Sequence, residues 1–149
     1  MRITIAYYEQ NRDLAKSIIS LLRQLGHQVQ EVQDSSPNTD YTDLAYSVGQ
    51  EILKNHADRA ILICGLGVCS CIAANKIKGL YAAACYDLFD AQISRSRYDT
   101  NVLCLSDCWS DQRMAGKIVE VWLKTPFHER SCDIRSMKKI KIIEGNGYH

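Results

Sequence analysis

The stretch Ala60-Ile61-Leu62-Ile63-Cys64-Gly65-Leu66-Gly67-Val68-Cys69-Ser70-Cys71 decides the fold of this chain. It opens with an unbroken apolar run, the pattern of a central parallel strand buried on both faces; a half-solvated strand would alternate. Gly65 and Gly67 follow and permit a tight turn, because glycine takes positive φ at little steric cost. The spacing then predicts a short helix from Ser70 to Ile77.

Elements of the same alternating kind extend in both directions. Upstream, Arg2 to Tyr7 reads as a first strand. Leu14, Ile18, Ile19, Leu21, Leu22 and Leu25 recur at helical spacing, and Gly26 stops them. His27 to Val32 alternates, as a half-covered edge strand does, and Asp34 to Thr39 is a loop by composition. A helix is predicted from about Thr42, carrying Leu44, Ala45, Val48, Ile52 and Leu53.

Downstream, Tyr81 to Cys85 and Asn101 to Leu105 read as strands, with a helix over Phe89 to Ser96 between them. Ser110 is placed to cap a helix whose apolar face is Met114, Ile118, Val119, Val121, Trp122 and Leu123, with Pro126 just beyond its end. A last helix is predicted over about Ile134 to Ile143, followed by a fraying Gly145-Asn146-Gly147 end. Five strands alternating with helices imply an α/β fold. The expected architecture is a three-layer α/β/α Rossmann-like doubly wound domain with a five-stranded parallel sheet, a single domain over residues 1–149. Ligands of such folds bind beyond the carboxyl ends of the strands, where the Gly65-Leu66-Gly67 turn should lie.

Composition narrows the function classes. The chain has 149 residues, 46% hydrophobic and 23% charged, with mean hydropathy -0.21. Those values exclude a disordered chain. Lys plus Arg is 18 against 17 for Asp plus Glu, a net charge of +1. This balance leaves no electrostatic footprint for nucleic acid or an anionic membrane. No signal peptide or membrane span is legible, and seven cysteines cannot all pair with one another. A cytoplasmic protein with reduced thiols is expected.

The glycine turn is the candidate site. Amide N–H groups of Gly65, Leu66, Gly67, Cys69 and Ser70 can converge there on an anion or a developing oxyanion, aided by the positive end of the following helix. The same surroundings are expected to lower the thiol pKa of Cys64, making it a candidate base or nucleophile. Val68-Cys69-Ser70-Cys71 lacks the third glycine of a dinucleotide fingerprint, and no Lys-Ser/Thr pair follows, so neither a dinucleotide nor a nucleoside triphosphate is expected. The remaining cysteines do not have zinc spacing, and no metal or other cofactor is expected. Cys85 and Cys104 read as core filling. His27, His56, His128 and His149 have no nucleophile partner legible in the sequence.

Several blocks together resemble the ribose-5-phosphate isomerase B and galactose-6-phosphate isomerase family. They are Ile61 to Gly67, Ile72-Ala73-Ala74-Asn75-Lys76-Ile77-Lys78-Gly79 and Ala82-Ala83-Ala84-Cys85, with Asp40-Tyr41-Thr42-Asp43-Leu44-Ala45 upstream and Ser94-Arg95-Ser96-Arg97-Tyr98-Asp99-Thr100-Asn101-Val102-Leu103 downstream. The likeness covers nearly the whole chain in order. It implies an aldose–ketose isomerase of a phosphorylated sugar, working without a metal through an enediolate, with Cys64 as the base and the turn amides holding the charge. It also implies a homodimer or dimer-based tetramer with sites at the subunit interface, and a small sugar phosphate as the partner molecule. Asn75, Lys76, Asp99 and Asn101 match the family and are read as serving the fold.

The substrate-contacting positions depart from the family. Its Asp-His pair falls at Tyr8 and Glu9, the turn threonine at Leu66, a later glycine at Cys69, and the alternative glutamate base at Ser70. The ring-opening histidine and its neighbour fall at Arg97 and Tyr98, and an arginine after the fifth strand at Cys108. The substrate-binding candidates are therefore Tyr8, Glu9, Tyr41, Arg97, Tyr98, Arg130 and Arg135, with Arg97 offered as a replacement anion clamp. With the ring-opening group lost, ring opening needs another group, for which Tyr98 and Glu9 are the nearest acid-base candidates, or a substrate that is already open-chain. A second reading is a catalytically degenerate subunit or sugar-binding protein that pairs with an active paralogue. A third, redox sensing, rests on Cys64, Cys69 and Cys71.

Overall fold

The computed structural model describes residues 1–32, 39–107 and 111–145. Five strands form one parallel sheet: β1 (Arg2–Tyr7), β2 (Gln28–Val32), β3 (Arg59–Ile63), β4 (Ala82–Cys85) and β5 (Val102–Leu105), in the order β2-β1-β3-β5-β4. The helices are α1 (Arg12–Gln24), α2 (Tyr41–Leu53), α3 (Val68–Asn75), α4 (Leu88–Tyr98), α5 (Gln112–Lys124) and α6 (Ser131–Glu144), and a 3-10 turn covers Glu9–Asn11. The predicted parallel, doubly wound architecture is present, with β2 an edge strand as its alternation requires.

The apolar residues divide into two cores, one on each face of the sheet. Ile3, Ile5, Ile61, Ile63, Leu103 and Leu105 pack against α1 and α5. Ala6, Ala60, Leu62, Val102 and Cys104 pack against α2 and α3. β3 contributes alternately to both cores, so its sequence had to be apolar throughout. Cys85 and Cys104 are buried, as read from the sequence.

Some boundaries differ from expectation. α3 begins at Val68 rather than Ser70, because Gly67 takes the left-handed conformation at φ 77 and starts the helix directly. α5 is capped by Asp111, whose side chain accepts from the Met114 amide. Ser110, the expected cap, lies outside the described residues, as do Cys108, the loop from Asp34 to Asn38, and Asn146-Gly147. Met114 sits in the first turn of α5 and is 38% exposed rather than on the core face. α6 starts at Ser131, a turn earlier than the apolar spacing indicated, with the Asp133 carboxylate near its positive end.

Two asparagines from the family-like blocks hold the frame. Asn75 donates to the Ala82 carbonyl at 2.9 Å and accepts from the Ala82 amide at 2.8 Å. Asn101 accepts from the Tyr81 amide at 2.8 Å and donates to the Gly79 carbonyl at 2.9 Å. Asp99 takes a left-handed conformation and pairs with the buried Arg95 at 2.8 Å. Arg95 and Arg59 both lie against the ring of Trp122, at 5.9 and 5.2 Å from its centroid. The Trp122 indole donates to the Thr100 hydroxyl at 2.9 Å.

Candidate active site

β3 ends at Ile63 and delivers Cys64 to the carboxyl edge of the sheet, where Gly65 and Gly67 turn the chain into α3. Both glycines have positive φ, at 27° and 77°. The Cys64 amide donates to Leu105 O at 3.2 Å, and the turn is otherwise anchored through its carbonyls. Cys64 O accepts from the Gly67 amide at 2.7 Å, and Gly67 O from the Cys71 amide at 3.1 Å. Gly65 O accepts from the Ser106 hydroxyl at 2.9 Å and the Asp107 amide at 3.1 Å. Leu66 O accepts from the Tyr86 hydroxyl at 2.8 Å. With the acceptors so engaged, the amides of Leu66, Val68, Cys69 and Ser70 are the groups left for an anion, at the positive end of α3.

A cavity of about 610 Å³ opens over this turn, lined by Cys64 to Ser70 together with Tyr41, Thr42, Ile72 and Ala73. Cys64 is 2% exposed and Ser70 fully buried. Tyr8 completes this corner: its ring meets that of Tyr41 edge-on at 4.7 Å, and its hydroxyl donates to Thr39 O at 3.0 Å. Tyr41 reaches over Gly65, where its hydroxyl stands 3.2 Å from the point a β-carbon would occupy. An alanine at this position would press on that ring. The cavity lining among the described residues contains no Lys, Arg or His.

The expected lowering of the Cys64 pKa is not what this environment produces. Burial dominates and pushes the thiol from an ordinary 9.0 up to about 11, partly opposed by a hydrogen bond from Ser70. Thiolate formation in a dry site costs more than the turn returns. Cys71 is displaced the other way, to about 7, chiefly through its hydrogen bond with Cys104.

The remaining candidates are placed less uniformly. Glu9 is exposed and paired with Arg12 at 2.5 Å. Arg97 and Arg130 do not reach the turn. Their Nε atoms donate to the two oxygens of Asp133, at 3.2 and 2.7 Å, and Asp133 is 2% exposed. Tyr98 lies against the Arg97 guanidinium, 5.8 Å from ring centroid to Cζ, and Arg135 is exposed. Arg97 lies in the last turn of α4, the helix that returns to the start of β5, and the His128 amide donates to Ser96 O beside it. The cluster therefore stands at the amino edge of the sheet, opposite the Cys64 turn of the same chain. The anchors Tyr86, Ser106 and Asp107 were missed in the sequence. Their signal is position, since each follows the end of β4 or β5 directly and so falls on the same carboxyl edge as the turn. Asp107 in turn accepts from the amide group of the buried Asn11.

No group of three or more His, Cys, Asp or Glu among the described residues is arranged to hold a metal ion. No helix among them is long and apolar enough to cross a membrane.

Comparison with known proteins agrees with the geometry. A family model described as Ribose/Galactose Isomerase matches residues 3–143. D-erythrulose-4-phosphate isomerase of Pectobacterium atrosepticum is 33% identical over 139 residues, covering 92% of this chain and 91% of that one. A putative sugar phosphate isomerase of Bacillus subtilis is 38% identical over 92 residues, which span 62% of each chain. The solved structure of Clostridium thermocellum ribose-5-phosphate isomerase B superposes with a TM-score of 0.91 at 31% identity, over 99% of this chain and 100% of that one. From the sheet order, the glycine turn and these matches, the chain belongs to the ribose/galactose isomerase family.

Proposed function

We propose that this protein interconverts an aldose and a ketose phosphate, with Cys64 as the base. The observation that carries the reading is the placement of one buried thiol beside the unpaired amides of an anion-binding turn, at the floor of a sugar-sized cavity. In the aldose direction of attack, the Cys64 thiolate takes the proton from C2. The C–H electrons form the C1=C2 bond, and the carbonyl electrons pass to O1. The turn amides hold the resulting enediolate oxygen, a charge that exists only along the reaction path. A proton moves from O2 to O1, and the thiol returns its proton to C1 to give the ketose.

A four-carbon substrate suits the changed site best. A tetrose 4-phosphate has its terminal oxygen esterified and cannot close a five-membered ring, so it needs no ring-opening histidine. Arg97 replaces that group here, and one relative over most of the chain is a D-erythrulose-4-phosphate isomerase. The site is shared between two copies of the chain, because the arginine cluster and the thiol stand at opposite ends of one subunit. Leu66, Val68 and Ile72, 54%, 47% and 57% exposed beside the cavity, supply apolar surface for the contact. The six described cysteines are all free thiols, which supports a reducing compartment such as the cytoplasm.

The test is proton exchange in D2O with a panel of four- to six-carbon sugar phosphates. Deuterium should enter C1 or C2 of one of them, and Cys64→Ala should reduce the rate by at least about a hundredfold. Absence of exchange with every member of the panel would overturn the reading.

A further inference from the structure

Stabilising a thiolate in this cavity is a problem that the cations usually recruited for it do not solve. Its described lining holds no Lys, Arg or His, and the electrostatic influence of Asp107 adds to the burial that opposes ionisation of the sulfur. Within one chain, the donors that line the cavity are neutral. Of the three hydroxyl-bearing residues in the lining, Thr42 donates to Asp40 at 2.5 Å and Tyr41 lies over Gly65. The third is Ser70.

Ser70 is the third residue of α3 and is fully buried. At rest its hydroxyl donates to the Tyr41 carbonyl at 3.4 Å, near the outer limit for such a bond and so easily given up. Ser70 and Cys64 line the same cavity, and hydrogen bonding from Ser70 holds the Cys64 thiol down against the burial that raises it. A hydroxyl rotates freely and has one proton to direct. We propose that Ser70 is a positioning residue that turns its hydroxyl proton from the Tyr41 carbonyl to the Cys64 sulfur whenever that sulfur is a thiolate, and so sets the fraction of enzyme in the basic form. No proton crosses Ser70. The substrate proton travels to sulfur and back, and the hydroxyl swings between two acceptors. The inference rests on Cys64 being the base, and extends that reading to what makes the base available.

The experiment is the pH dependence of Cys64 alkylation by iodoacetamide, resolved by peptide mass spectrometry, in the native protein, Ser70→Ala and Ser70→Thr. Removal of the hydroxyl should move the apparent titration upward by about one unit, so that alkylation at pH 8 slows about tenfold. The kcat profile should move with it while KM holds, and Ser70→Thr should restore both. Ser70→Gly also lacks the hydroxyl and replaces the alanine variant if that one does not fold. An unmoved alkylation profile in a folded hydroxyl-free variant would overturn the proposal. The two readings fail separately. If Cys64→Ala retains proton exchange, Cys64 is not the base, yet the alkylation profiles still decide whether Ser70 controls the thiol. If Cys64→Ala is inactive and the profiles do not move, the base stands and Ser70 does not assist it.

Discussion

Cys64 occupies a site where burial and chemistry pull in opposite directions. Its thiol sits near 11, so at neutral pH the free enzyme holds it almost entirely protonated. With the thiolate as the proposed base, kcat/KM should climb with pH, about tenfold per unit, until the pH approaches that value. A pH–rate profile that levels off below about pH 8 would show that another group is the base. The same shift has a consequence for stability. The folded state favours the neutral thiol, so this contribution is fully present below 9, the value of the unfolded chain, and is lost as pH rises toward 11. Activity and stability should therefore move in opposite directions across the alkaline range. An equilibrium urea titration repeated from pH 8 to pH 11 measures the second trend.

Among the elements, α2 packs against α3 and the segment that follows it. A β-carbon on Gly49 of α2 would lie 2.7 Å from Leu80 and 3.2 Å from Ile77, both in the segment after α3. Leu80 is 1% exposed and has little room to retreat. Gly49→Ala gains roughly 1 kcal/mol of helix propensity. Overpacking should outweigh that gain, for a net loss of about 1–2 kcal/mol seen as a lower urea midpoint. This position also shows where sequence reading stops. The period of Leu44, Ala45 and Val48 marks the buried face of α2, but nothing local indicates that Ile77 and Leu80, in the segment after α3, approach closely enough to require glycine. The strands were legible because β3 is apolar on two faces while β2 is apolar on one. The early start of α3 was not, since it depends on Gly67 adopting positive φ. For Cys64 the position was readable and the pKa was not: the turn and the helix end are local, whereas the burial that opposes them comes from both sheet neighbours and α2. Arg97 was legible as a cation, but its partner Asp133 is 36 residues away.

For the whole molecule, the separation of the thiol from the arginine cluster makes a claim about assembly. If each site takes Cys64 from one copy and Arg97 from another, Cys64→Ala and Arg97→Ala homodimers should both be inactive. Co-expressed, half the dimers are mixed and each mixed dimer carries one intact site. Activity should therefore recover to about a quarter of the native value. Sites built within one chain would give no recovery, and a fully active Arg97→Ala would remove Arg97 from the site. An added requirement is that Asp133 stays satisfied: Arg130 still donates to it at 2.7 Å in that variant, so the lost pair need not unfold α6.

The bond pair between Asn75 and Ala82 has a further meaning for how copies of this chain avoid one another. β4 pairs only with β5, and its other side is a sheet edge. Such an edge offers exposed amides and carbonyls to any extended chain and is a template for aggregation. Here one side chain imitates a neighbouring strand, donating to and accepting from the same residue at 2.9 and 2.8 Å. The small-residue strand Ala82-Ala83-Ala84 lacks the charges or proline that commonly guard an edge, and α3 guards it instead. The helix that follows the glycine turn at its beginning thus closes the sheet against fibril-like growth at its end.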